Sequence, residues 1–272
     1  MLAFAANSLL CRLALGQDLI DAATFTTVRA VSGATLLSLI MVPGWRRRGR
    51  PPPDWRSVLT LFAYMAFFSF AYVTLSAGTG ALILFGAVQL TMFLVALREG
   101  ERFPMASWFG LVVAVLGLVY LVAPGVTAPD PVGAALMVVA GIAWGFYSLL
   151  GRRAADPLAA TANNFVYSVP LAVIGSLIFI GDLNGSAACV AFAVTSGALA
   201  SAIGYMIWYA ALPSLTAARA ATVQLSVPVI AAFGGVALLS EQVTLRLLLA
   251  SVATLGGVAI VLAQRATKHP SD

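Results

Sequence analysis

The sequence predicts an all-α integral membrane protein, ten transmembrane helices arranged as two inverted five-helix repeats. Three observations carry that prediction. Ten apolar stretches, each about long enough to cross a bilayer as helix, fill the chain almost end to end. The 272 residues are 61% hydrophobic and 9% charged, against about 45–50% and about 25% in soluble domains. Basic residues fall in alternate loops, and short residue patterns recur at a fixed offset. Because lipid offers backbone groups no hydrogen-bond partner, the apolar stretches must be helical.

The first stretch begins at Met1, carries Asn7, Ser8 and Arg12, and has no small-residue cleavage site, so it reads as a retained span. The second holds Arg29 about two turns inside. Its long stem can snorkel or pair with Asp18 or Asp21, which assigns it to structure. The third to sixth stretches cover residues 58–77, 82–97, 108–122 and 132–150. The seventh carries Asn163 and Asn164 near its cytoplasmic end, read as capping or solvated groups. The eighth, ninth and tenth cover 187–212, 220–239 and 245–263. Cys11 and Cys189 are solitary in apolar surroundings and fit no disulfide or ligand spacing.

The chain has 15 basic and 10 acidic residues, and the distribution of the basic ones says more than the sum. The loop after the second span holds Arg46, Arg47, Arg48, Arg50 and Arg56; later alternate loops hold Arg98 with Arg102, Arg152 with Arg153, and Arg219. The tail adds Arg265 and Lys268. The intervening loops around residues 18–21, 76–79, 124–131, 181–186 and 241–244 contain no Lys or Arg. By the positive-inside rule the basic loops and both termini face the cytoplasm of a multi-pass inner (plasma) membrane protein.

The chain also repeats itself. Asn7-Ser8-Leu9-Leu10 followed by Arg12 recurs at Tyr147-Ser148-Leu149-Leu150 followed by Arg152, an offset of 140 (147 − 7). The same offset relates Glu101 to Glu241 and Gly117 to Gly257, while 137 relates Tyr72 to Tyr209 and Leu75 to Leu212. Residues 1–130 and 131–272 therefore form two five-span repeats. Five is odd, so the second runs through the membrane in the opposite sense, an architecture of transporters with a solute site between the halves. Met1 aligns with Gly141, so the first helix reads as shorter than its counterpart by about two to three turns.

The span order, the duplication, Glu101 and Glu241 after spans four and nine, Pro228 in span nine, and glycines Gly110, Gly117, Gly256 and Gly257 resemble the drug/metabolite transporter superfamily. Within it the chain looks like the ten-helix EamA-type carriers, most like the bacterial aromatic amino-acid exporters of the YddG kind. That resemblance implies a small-metabolite transporter working by alternating access, with amino acids as cargo.

Helical spacing of four puts Tyr64, Phe68 and Tyr72 on one face of span three, and their repeat partners Ser201, Tyr205 and Tyr209 on one face of span eight. Phe4, Asn7 and Ser8 correspond in the same way to Trp144, Tyr147 and Ser148. In lipid such donors are costly unless they point inward. The expected substrate-binding set is Asn7, Tyr64, Phe68, Tyr72, Trp144, Tyr147, Tyr205 and Gln224, the last one turn before Pro228, whose missing N–H frees a carbonyl. Against this stands ordinary packing for Phe68, interhelical glue for Gln89, and the headgroup belt of Trp and Tyr for Tyr72, Trp208 and Tyr209. Gly141 with Gly145, and Gly197 with Ser201 and Gly204, read as close helix contacts.

Several functions fall away. A phosphate cradle needs Lys after a Gly-rich loop, but Lys268 is the only Lys. Every Asp and Glu falls in a loop or at a span end, which leaves no carboxylate inside the bundle for proton coupling. His269, the sole His, lies in the tail, so no cofactor, metal or catalytic residue is expected. An aromatic, uncharged chamber suits an apolar or zwitterionic solute of amino-acid size, with Trp144 and Tyr147 offering cation–π contact to an amine. Sugar phosphates would need buried cations. The expected partners are a small-molecule solute and the lipid bilayer, with no nucleic acid, and a monomer is compatible with the reading. Rival readings are export of cationic drugs or another metabolite, a membrane enzyme, a scaffold or an open channel.

Overall fold

The computed structural model describes residues 1–16, 20–152, 154–179, 186–211 and 223–266, except the side chains of 48 and 264–266. The expectations placed on Asp18, Arg153, Leu212, Arg219, Arg265, Lys268 and His269 lie outside it. The described residues form helices joined by short connections, without strands: α1 (Leu2–Leu15), α2 (Ala22–Arg48), α3 (Trp55–Tyr72), α4 (Ala77–Arg98), α5 (Met105–Val122), α6 (Pro131–Gly151), α7 (Pro157–Ile178), α8 (Ala187–Thr195), a π-helical segment (Ser196–Ile203), α9 (Gly204–Ala211), α10 (Ser226–Leu239) and α11 (Leu245–Ala266). Seven helical runs are long and apolar enough to cross a membrane, α8, the π segment and α9 counting as one. Phe109, Val112, Leu116 and Val119 lie exposed at helical spacing on α5, an apolar stripe suited to contact with lipid.

Polar residues set the helix starts. Asp21, Asp54, Asp130 and Asp156 cap α2, α3, α6 and α7, each accepting from a backbone N–H of the first turn. Ser76 caps α4, so α3 stops at Tyr72 and α4 begins at Ala77, five residues before the start that hydropathy suggests. Span eight is interrupted by the π segment, a break its uniformly apolar sequence conceals.

Helices pack in pairs that cross the middle of the chain. The closest is α5 against α11, where a Cβ on Gly110 would lie 2.5 Å from the Gly257 carbonyl and one on Gly117 would lie 2.6 Å from Thr254 Oγ1. Gly256 faces open space. Helix α6 lies on α3 and α4, with Gly141 against Leu84 and Ala87 and Gly145 against Thr91, while α2 lies on α7 and the π segment. The helix-contact reading of these small residues therefore has atoms attached to it.

One end of the bundle is laced together by side chains that bond to backbone carbonyls and to one another. Arg12 donates to the carbonyls of Tyr72 and Val73 at 3.2 and 2.8 Å and lies 3.5 Å from Glu241. Thr74 bonds to Asp130, and Arg246 donates to the Ala123 carbonyl. The C-terminal ends of α1, α3 and α5 thus meet the N-terminal ends of α4, α6 and α11. Elsewhere Asn163, expected as a cap or a solvated group, is instead buried: it accepts from Arg50 at 2.6 Å and donates to Pro51 and Pro52, anchoring the α2–α3 connection to α7.

Candidate substrate site

Inside the bundle the facing helices bring their rings into one connected cluster around Trp144 of α6. Its ring lies 4.7 Å from Tyr64 of α3, 5.0 Å from Tyr205 of α9, 5.5 Å from Tyr147 and 6.0 Å from Phe4 of α1, centroid to centroid. Tyr64 continues to Phe68 at 5.3 Å and Phe68 to Tyr72 at 4.7 Å. Phe165 of α7 closes the far side against Tyr205 at 5.9 Å. All these side chains are buried, so the conformation described is one in which the cluster is shut from solvent. Tilted and edge-on arrangements dominate, as the ring quadrupoles favour.

A chain of hydrogen bonds threads the rings. Asn7 donates to the Tyr64 hydroxyl at 3.4 Å and accepts from Ser196, the first residue of the π segment. Arg29 of α2 donates through Nε to Ser201 at 3.3 Å and through Nη2 to Tyr64 at 3.2 Å, with its guanidinium 5.0 Å from the Phe68 ring centroid and 5.3 Å from that of Tyr64. Ser196 and Ser201 both lie in the π segment, so its buried face supplies two of the hydroxyls in this chain of bonds. A Cβ on Gly197 would fall 2.1 Å from the Arg29 carbonyl oxygen, so only glycine lets α2 come this close.

Of the eight residues expected from the sequence, seven (Asn7, Tyr64, Phe68, Tyr72, Trp144, Tyr147 and Tyr205) are joined here by ring contacts or hydrogen bonds. Tyr72 reaches the cluster through Phe68, but its hydroxyl is spent on the Ala77 carbonyl at 3.3 Å, and it is fully buried rather than placed among headgroups. Gln224 is buried at the approach to α10, and no hydrogen bond or ring contact among the described residues links it to the cluster.

Arg29 is the correction. The sequence assigned it to snorkelling or to Asp18 or Asp21, and described the chamber as uncharged. Arg29 is instead fully buried, Asp21 is engaged in capping α2, and no acidic side chain among the described residues pairs with the guanidinium. The signal was present in the sequence, a charge in an apolar span, but its direction depends on which way α2 faces. Phe165, Ser196 and Ser201 were likewise outside the expected set.

Seven helical runs long and apolar enough to span a bilayer, packed around a buried cluster of rings and hydroxyls, define a multi-pass membrane protein. The comparisons give the particular family. The chain matches the EamA-like transporter family over residues 1–123 and 131–263 and belongs to it. It is 51% identical to an uncharacterized Pseudomonas aeruginosa protein over 97% of this chain and 92% of that one. It is 26% identical to an uncharacterized transporter of Archaeoglobus fulgidus over 75% and 76% of the two chains. A crystal structure 20% identical superposes with a TM-score of 0.69 over 97% of each chain, a likeness of fold. The protein is thus a membrane transporter of small metabolites.

Proposed function

We propose that the protein carries small zwitterionic or apolar metabolites, aromatic and other neutral amino acids foremost, out across the plasma membrane by alternating access. In this reading residues 1–130 and 131–272 are inverted five-helix repeats, ten helices in all, both termini are cytoplasmic, and the subtype is that of the aromatic amino-acid exporters. The observation that carries it is the Trp144 cluster, built jointly by α1, α3, α6 and α9, helices from both proposed repeats. Opposed helix sense supports the inversion: α1 ends where α6 begins, and α5 ends where α11 begins.

Alternating access requires the cluster to open toward either side in turn, and rings in tilted contact, without covalent or ionic ties between them, separate at modest cost. Trp144 and Tyr147 would stack on a solute ring and hold an amine over their faces. Uptake of labelled phenylalanine, tryptophan, leucine and threonine by proteoliposomes of the purified protein tests the reading. Saturable uptake of at least one, absent from empty liposomes, is expected. Transport of only cationic dyes or drugs would replace it with the drug-export alternative.

A further inference from the structure

We infer that Arg29 is the residue that binds the solute's carboxylate, so that the cargo must carry one carboxylate and need not carry an amine. The inference rests on the ring cluster being the solute site and names the class of solute that the cluster accepts.

Arg29 is a permanent cation, because guanidinium does not deprotonate in proteins. It is fully buried, and no acid among the described residues neutralises it. The side chains that accept from it, Ser201 and Tyr64, are hydroxyls and bring no carboxylate to it. A lone buried cation in a membrane bundle is costly, and such charges ordinarily mark a solute path. An anionic solute supplies the missing counter-charge.

The hydrogen-bond inventory points the same way. Arg29 spends Nε and Nη2 on hydroxyls, while Nη1 is buried with no partner. Trp144 Nε1 and the Tyr205 hydroxyl, in the same cluster, are also unpartnered. Two of these three groups can only donate, and the third can donate. The site therefore holds a positive charge with a surplus of donors, and calls for a charged acceptor with two oxygens, which a guanidinium fork fits.

One guanidinium selects a monoanion. Arg12 is occupied by Glu241 and the carbonyls of Tyr72 and Val73, so it offers no second cation for a dianionic phosphate. The Phe68 and Tyr64 rings beside the guanidinium fix its plane and leave the remaining rings to flank an apolar body. No carboxylate among the described residues lies in the cluster to hold an ammonium, so an amine has only the ring faces of Trp144 and Tyr147 and adds little beside the charge pair with Arg29.

The test is calorimetric binding to the purified full-length protein of phenylpropionate, hexanoate, L-phenylalanine, phenylethylamine and L-phenylalaninamide. Phenylpropionate and L-phenylalanine are expected to bind within a few fold of each other, and the amine and amide at least about tenfold more weakly. Arg29→Gln should reduce the acids to the level of the amine, with partial recovery in Arg29→Lys. Equal binding of amine and acid, undiminished acid binding in Arg29→Gln, or no saturable binding of any carboxylate overturns the inference. The ligand comparison on the unaltered protein decides even if the variants fail to fold. Arg29-dependent binding of phenylpropionate without binding or transport of any amino acid would preserve the carboxylate role and end the amino-acid reading.

Discussion

Both carboxylate oxygens of Glu241 accept from the backbone N–H of Ala77, at 3.0 and 2.9 Å, joining the loop before α11 to the first turn of α4. An anion at a helix N-terminus meets unpaired donors and the positive end of the dipole. Ser240 makes the reach possible by adopting a left-handed conformation, φ 54°, as the Glu241 N–H bonds back to the Gly235 carbonyl. With Arg12 on the same carboxylate, one side chain ties α1, α4 and α10 together at one end of the bundle.

Removing that tie separates its two parts. Glu241→Gln keeps an acceptor for Ala77 but loses the ion pair, whereas Glu241→Ala loses both. The Ala variant is expected to cost about 1–2 kcal/mol, and the Gln variant less than half of that, because the ion pair is partly solvated. Thermal melts of the detergent-solubilised variants, followed by size-exclusion fluorescence, check the order.

Close approach of α2 to the π segment depends on Gly197. Gly197→Ala puts a methyl 2.0 Å from Ser32 Oγ and 2.1 Å from the Arg29 carbonyl, and should destabilise by about 1–3 kcal/mol or more. Gly256→Ala, where nothing lies within 4 Å, should be neutral or gain up to about 1 kcal/mol from helix propensity. Equal melting temperatures for the two variants would contradict the packing described.

Trp144 touches four other rings and makes no hydrogen bond through Nε1. Trp144→Phe should retain a measurable part of transport and Trp144→Ala should lose at least about tenfold, from the loss of ring contact alone. Initial rates in proteoliposomes, normalised to the protein incorporated, separate this from a loss of membrane abundance.

Among the described residues Asp21, Asp54, Asp130 and Asp156 cap helices, Glu241 caps α4, and Glu99 and Glu101 lie exposed just after α4, so none of these acids sits in the ring cluster to carry a proton. An imposed pH gradient across proteoliposomes should therefore not drive solute accumulation above equilibration. Accumulation that collapses on adding a protonophore would refute this.

The membrane location, the helical class and the grouping of Tyr64, Phe68, Trp144, Tyr147 and Tyr205 were legible in the sequence. Hydropathy and a period of 3.6 residues are local properties of the chain, and lipid permits one backbone solution for an apolar stretch. The facing of α2 was not legible. Whether Arg29 reaches the surface, an acidic partner or the ring cluster depends on the rotation of α2 about its axis, which Gly33 and Gly197 set by contact with α7 and the π segment. The π segment itself left no mark in an apolar run, and the role of Glu241 required α4 and α10 to be neighbours. Contacts between residues far apart in the chain exist only once the helices have packed, so the tertiary structure alone decided where the buried charge points.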